Sequence, residues 1–131
     1  MTILYIDDDA EDREFFVEAA RKIDGDLICY TAQDGAQALR ELHEMIVMPD
    51  YIFLDVNMPV MNGKQFLHEI KKRIRLRSIP VVIYSTTTRP DERAAFLNAG
   101  ASKVIAKPSS IAQITGLIRS VIYHEPAEYK M

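Results

Sequence analysis

Five short apolar runs, each separated from the next by a longer stretch with helical spacing, constrain this chain more than any other feature. The runs lie at residues 3–6, 27–31, 51–54, 81–84 and 104–106. After the first, Phe15, Phe16, Ala19, Ala20 and Ile23 recur at the spacing of one helix face. Asp34 is placed to cap a second helix carrying Ala38, Leu39, Leu42, Met45 and Ile46 on its apolar side. Asn62 and Gly63 give a turn signal, and Phe66, Leu67, Ile70 and Ile74 make a third helical face. A fourth helix is expected from about Asp91 to near Gly100, a natural terminator. The last opens on Ser110 with Gln113 three residues on, a capping-box pattern. Its buried stripe is Ile111, Ile114, Leu117, Ile118, Val121 and Ile122.

A run that is apolar at every position, rather than at alternate ones, is covered on both faces. That implies a parallel sheet sandwiched between helices. Right-handed crossovers then lead to an α/β fold: a five-stranded parallel sheet, doubly wound as (βα)5, with flavodoxin-like strand order 2-1-3-4-5. A chain of 131 residues, 48% of them hydrophobic, suits one such domain and needs no disulfide or metal staple to fold. Its one cysteine, Cys29, lies between Ile28 and Tyr30 and reads as a buried strand residue, in keeping with a reducing compartment. No apolar stretch is long enough to cross a membrane, and the N-terminus lacks the basic segment and cleavage site of a signal peptide. The expectation is a cytoplasmic protein without a membrane partner. A net charge of −3 argues against direct nucleic-acid binding.

In an open α/β sheet, ligands bind beyond the carboxyl ends of the strands. The residues that end the runs are therefore informative. The first run ends in Asp7 and Asp8, followed by Asp9; the third ends in Asp55. The fourth ends in Ser85 followed by Thr86, Thr87 and Thr88, and the fifth in Lys107 and Pro108. Three carboxylates, a hydroxyl and a lysine thus converge on one edge. Crowded carboxylates need positive charge among them, and a hard divalent cation such as Mg²⁺ accepts such oxygen ligands. With Lys107 as a fixed charge, the set suits a phosphoryl group and a carboxylate nucleophile.

The residues Asp7-Asp8, Asp55-Val56-Asn57-Met58-Pro59, Asn62-Gly63, Ser85-Thr86 and Lys107-Pro108, in that order and each at a strand end or the loop beyond it, resemble the receiver domains of two-component response regulators. The resemblance covers nearly the whole chain, and its stand-alone form is similar to chemotaxis-regulator receivers. It implies that Asp55 is the phosphoacceptor. Mg²⁺ would be held by the Asp8 and Asp55 carboxylates and the Asn57 carbonyl, with Asp7 helping through water. Ser85, with Thr86 beside it, would bind the phosphoryl group, and Lys107 would pair with one of its oxygens. The Lys107–Pro108 bond is usually cis in this family. The donor would be a phosphohistidine on a sensor histidine kinase or histidine phosphotransfer protein. The chain would not be an enzyme in the ordinary sense, but a switch that catalyses its own phosphorylation and dephosphorylation and shifts between pre-existing conformations.

Some positions depart from the family pattern or stand outside it. The aromatic residue common three positions before the strand-five lysine is replaced by Val104. Asn57 and Thr87 stand where the family tunes access of water to the phosphoryl group. No effector module follows the fifth helix, so residues 1–124 are expected to form the receiver and 125–131 a short tail. A homodimer and an unknown downstream protein are compatible with this reading. Two other functions compete with it. An aspartyl phosphatase would need an acidic residue at position 57, where Asn57 cannot serve as acid or base. A phosphate-independent receiver-like adaptor would have no use for Asp7, Asp8, Asp55, Ser85 and Lys107 together. Asp9 is expected to be a cap, and Lys71, Lys72, Arg73, Arg75 and Arg77 a solvated basic helix end or, less commonly, a docking patch for an acidic partner.

Overall fold

The computed structural model describes residues 1–56, 61–86 and 89–124. Ten elements alternate along them: β1 (Thr2–Ile6), α1 (Ala10–Arg21), β2 (Ile28–Ala32), α2 (Gly35–Glu44), β3 (Tyr51–Asp55), α3 (Gly63–Lys72), β4 (Val81–Ser85), α4 (Pro90–Asn98), β5 (Lys103–Ala106) and α5 (Ile111–Ile122). The strands form one sheet of order β2-β1-β3-β4-β5, every pairing parallel. This is the doubly wound, flavodoxin-like sheet expected from the alternation.

The two faces of the sheet carry separate cores because successive strand side chains point to opposite sides. Leu4, Ile6, Ile52, Leu54, Ile83 and Val104 pack under Ala38, Leu42, Phe66, Leu67, Ile70 and Phe96 of α2, α3 and α4. Ile3, Tyr5, Phe53, Val82 and Tyr84 pack under Phe16, Ala19 and Ala20 of α1 and Ile114, Leu117 and Ile118 of α5. Each fully buried aliphatic or aromatic side chain contributes about 1.5–3 kcal/mol, so the two layers supply the main driving force.

The caps set where the helices point. Asp9 is the N-cap of α1, accepting from the backbone N–H groups of Glu11 and Asp12. Asp34 and Ser110 cap α2 and α5 through the N–H groups of Gln37 and Gln113. Asn62 and Gly63 do not make a free-standing turn. Asn62 caps α3 in a reciprocal box with Gln65. Gly63 lies so close to the end of β3 that a Cβ there would meet Val56 Cα at 3.0 Å. Gly100, at φ +109°, ends α4 with paired bonds from its own N–H to Leu97 and from Ala101 N–H to Phe96, the Schellman arrangement.

Three expectations fail locally. As the edge strand, β2 has a neighbour on one side only, and Ile28 and Tyr30 are half-exposed. Helical spacing also runs past the true ends of α2 and α3. The backbone turns extended at Met45 and Arg73, which leaves Ile46 and Ile74 on the surface. Cys29 is half-buried, and burial pushes its thiol up to about 12, far from a reactive thiolate. No helix among the described residues is long and apolar enough to cross a membrane.

Phe53 lies at the centre of the sheet with no exposed surface. Its replacement in Phe53→Ala is expected to cost about 3–5 kcal/mol, measured by urea unfolding. A loss below about 1 kcal/mol would contradict the packing described.

Candidate phosphoryl and metal site

The chain leaves β1, β3, β4 and β5 at one edge of the sheet, and parallel pairing places the first residues beyond those strands side by side. Asp55 is opposite Tyr84 in the β3–β4 register, and Ser85 is opposite Ala106 in the β4–β5 register. The Lys107 N–H extends the ladder by one bond, to the Ser85 carbonyl at 2.8 Å. On the other side the Asp7 N–H bonds to the Ala32 carbonyl at 3.1 Å. Asp7, Asp55 and Ser85 are buried, and Asp8 and Thr86 are exposed. One carboxylate oxygen from each of Asp7, Asp8 and Asp55 lies within 4.8 Å of the others.

Lys107 is the hub of this cluster. Its Nζ lies 2.9 Å from Asp7 Oδ2, 3.0 Å from Asp12 Oδ2 and 3.4 Å from Asp55 Oδ1. Burial works against its charge, but the bond to Asp7 and the charge of Asp55 outweigh it, so the ammonium is held above the ordinary lysine value. Asp55 behaves in the opposite way. Burial pushes its carboxyl up to about 6, the Asp7 charge adds to the rise, and Lys107 offsets only part of it. Among the described residues no second cation comes within ion-pair distance of these carboxylates. The cluster is therefore short of positive charge. Hard oxygen donors converging in such a deficit fit a divalent cation with retained waters. Asp7, Asp8 and Asp55 are the side chains that could hold it. Asn57, the remaining ligand implied by the family resemblance, lies outside the described residues, as do Met58, Pro59 and Thr87.

Three residues not singled out from the sequence belong to this geometry. The Tyr5 hydroxyl donates to Asp7 Oδ2 at 2.5 Å. Its ring is fixed by stacking on Phe16, with centroids 4.0 Å apart and planes 5° from parallel, and by an edge contact with Tyr84. Burial first, and the Asp7 charge second, keep that phenol protonated. Asp12, on the first turn of α1, takes a share of Lys107. Strand alternation was the available signal for Tyr5, two residues before Asp7 and so on the same side. Asp12 offered no such signal, because its reach to Lys107 depends on how α1 enters. Arg13 adds a bond from Nη1 to the Asp7 carbonyl at 2.7 Å, which locks that entry.

The position of the missing aromatic is clear. Val104 is buried against α2, α3 and α4. Tyr84 lies in the opposite core, with Lys107 Nζ 5.6 Å from its ring centre. Tyr84 is thus on the wrong side of the sheet to stand in for an aromatic at position 104. The Lys107–Pro108 bond is trans, not the cis isomer that the family resemblance implied. Trans is the intrinsically favoured isomer of such a bond by about 0.5–1 kcal/mol. A cleft of about 400 Å³ opens beside Lys107, between Phe15 and the segment that starts α5.

Two outcomes are expected from this electrostatic balance. The native protein holds more protons than the unfolded chain between the ordinary aspartate value and about 6, so metal-free stability falls as pH rises through that window. Asp55→Asn removes the uncompensated charge and is expected to stabilise the metal-free protein at neutral pH by about 1–3 kcal/mol, read as a higher Tm. A lower Tm at neutral pH would refute the charge deficit. Tyr5→Phe keeps the stacked ring but leaves a buried carboxylate one donor short, at an expected cost of about 1–3 kcal/mol. The same change in an Asp7→Ala background should cost clearly less; equal costs by urea unfolding would mean that the hydroxyl contributes nothing through Asp7.

The family model of the response regulator receiver domain matches residues 3–119. The transcriptional regulatory protein PrrA of Mycobacterium tuberculosis is 33% identical over 120 residues, which is 92% of this chain and 49% of PrrA. The chain therefore spans about half the length of that relative. Among solved structures, the phosphorylated cyanobacterial phytochrome response regulator RcpA superposes with a TM-score of 0.84 at 25% identity, covering 98% of each chain. The Mn²⁺-bound form of response regulator Rcp1 gives a TM-score of 0.79 at 25% identity, covering 99% of this chain and 96% of that one. With its order of strands and the acidic edge they build, the chain belongs to the response regulator receiver domain family.

Proposed function

We propose that the chain works as a phosphoacceptor switch in a two-component relay, with Asp55 as the residue modified. The observation that carries this reading is the Asp55 carboxylate itself: buried, charge-frustrated, 3.4 Å from Lys107 and grouped with Asp7 and Asp8. A sensor histidine kinase or histidine phosphotransfer protein would supply the group. Asp55 attacks phosphorus as the bond to the donor imidazole breaks, and the imidazole nitrogen keeps the electron pair. Lys107 is within reach of Asp55 and stabilises an oxygen of the transferring group, while Ser85, with Thr86 beside it, accommodates another. Tyr5 and Arg13 hold Asp7 in place, and Asp12 orients Lys107. A bound Mg²⁺, on Asp7, Asp8, Asp55 and the Asn57 carbonyl, would neutralise charge on the phosphoryl oxygens. Attack of water on phosphorus returns Asp55 as a carboxylate and releases phosphate.

Phosphorylation exchanges one charge pattern around Lys107 for another and so biases a two-state balance that a downstream protein, or a second copy of the chain, reads. With Val104 small and Tyr84 in the opposite core, that balance does not run through an inward-turning aromatic at position 104. Residues 1–124 are read as the receiver unit, in a cytoplasmic setting.

Intact mass after incubation with acetyl phosphate and Mg²⁺ tests the proposal. One added phosphoryl group is expected, absent from Asp55→Asn and from a chelator-treated control. No added group, together with no beryllofluoride binding, would overturn it in favour of a phosphate-independent adaptor.

A further inference from the structure

The edge of the sheet opposite Asp55 has a character of its own. The loops leaving α2 and α3 meet there, tied by the Arg75 guanidinium, which donates to the Met45 carbonyl at 2.9 Å. Leu42 and His43 from α2 and Arg73, Ile74 and Leu76 from the α3 side line one cleft. Flanking this tie are Ile46, Val47 and Ile74, which are 93%, 76% and 79% exposed, more than any other large hydrophobic residue described. Three branched aliphatics gathered in one place and this far out of the surface are not the scattered apolar exposure usual for a folded domain.

The last turn of α3 and the loop after it carry Lys71, Lys72, Arg73, Arg75 and Arg77. Glu69 is the carboxylate that pairs with any of them among the described residues, at 3.4 Å from Lys72 and 3.8 Å from Arg73. Lys71 and Arg75 spend their donors on backbone carbonyls, which leaves their charge uncancelled. Even with Glu44 and Asp50 nearby, this edge is net positive in a chain of net charge −3. The acidic site does not erase that field. A five-residue strand separates the two edges by about 17 Å, roughly twice the Debye length of about 8 Å at physiological ionic strength.

We propose that this edge adsorbs to an anionic lipid surface. Ile46, Val47 and Ile74 enter the boundary between headgroups and acyl chains, while Lys72, Arg73 and Arg77, exposed on long stems, meet lipid phosphates, and the tethered Lys71 and Arg75 add to the positive field. Protruding side chains fit a medium that closes around them without a preformed complement; a folded protein partner would need a matching concavity. The sequence-based expectation of no membrane partner rested on the lack of a spanning segment. That lack concerns a spanning helix and leaves adsorption open. The inference uses this surface alone and does not depend on the phosphoacceptor reading. It does, however, orient the molecule with Asp55 turned away from the lipid.

Co-sedimentation of the full chain with phosphatidylglycerol vesicles, beside phosphatidylcholine vesicles, tests it. Binding to the first and not the second is expected, weakening as salt rises. Ile46→Ser/Ile74→Ser is expected to lower the partition coefficient by about tenfold or more with an unchanged Tm, since neither side chain is packed. Lys72→Ser/Arg73→Ser should lower it as well. No binding to anionic vesicles would overturn the proposal and leave an acidic protein as the partner class. Binding indifferent to the isoleucine substitutions would overturn it too, because simple charge adsorption needs no apolar tip.

Discussion

The ammonium of Lys107, set among Asp7, Asp12 and Asp55, is the interaction on which the functional edge depends. Its partners come from positions 100, 95 and 52 residues earlier in the chain, so it forms only when the whole sheet has assembled. Strand order does the rest. Because β1 lies beside β3, and β4 and β5 follow, the carboxyl ends of four strands deliver Asp7, Asp55, Ser85 and Lys107 to neighbouring positions. One cation facing three carboxylates leaves a deficit, and it falls on Asp55, whose carboxyl is pushed up to about 6. Stability and function conflict at this point. A neutral residue would suit the metal-free fold better, whereas a frustrated carboxylate suits the proposed phosphoacceptor role, in which a cation and a phosphoryl group would relieve it.

Beneath that edge the two faces of the sheet are unequal. On the α1–α5 side, Tyr5, Phe16, Phe53 and Tyr84 form a continuous aromatic cluster that reaches up to Asp7 through the Tyr5 hydroxyl and to Lys107 through the Tyr84 ring. On the other side, the residues near the end of β5 are aliphatic, with Val104 in the core and its carbonyl held by Arg93 at 2.6 Å. Lys107 and Asp7 are therefore joined to the aromatic side by direct contacts. The α4 side is linked to β5 through the Arg93 bond to the backbone. The ring that other receivers carry at this position has no counterpart in Val104.

Much of this was legible in the sequence, for a physical reason. Short continuous apolar runs set between helical stretches read as strands of a covered parallel sheet, and the residue ending such a run is delivered to the ligand edge. Asp7, Asp55, Ser85 and Lys107 could thus be placed from position alone. What was missed depends on side-chain reach or on where periodicity stops. Tyr5 looks like one more core aromatic until its hydroxyl is traced to Asp7. Asp12 looks like a first-turn acid favoured by the helix dipole, and it is that as well. Ile46 and Ile74 continue a helical spacing after the helix has ended. No local pattern distinguishes a buried isoleucine at the next turn from an exposed one in the following loop.

Those two isoleucines change how the domain is viewed as an object in a field. The acidic edge and the basic, apolar edge lie at opposite ends of the same strands, so the molecule has an electrical axis parallel to its sheet. A negatively charged surface attracts one end and repels the other, which selects an orientation before any contact forms. In that orientation the Asp55 edge faces solution, where the proposed phosphoryl donor would reach Lys107 unhindered. Reversing the axis would bring four clustered aspartates, Asp7, Asp8, Asp12 and Asp55, against like charge, a penalty that grows as the acidic edge comes within a Debye length. The charge layout alone therefore favours one face of the domain toward any extended anionic surface, and the protruding aliphatics decide whether that preference becomes binding.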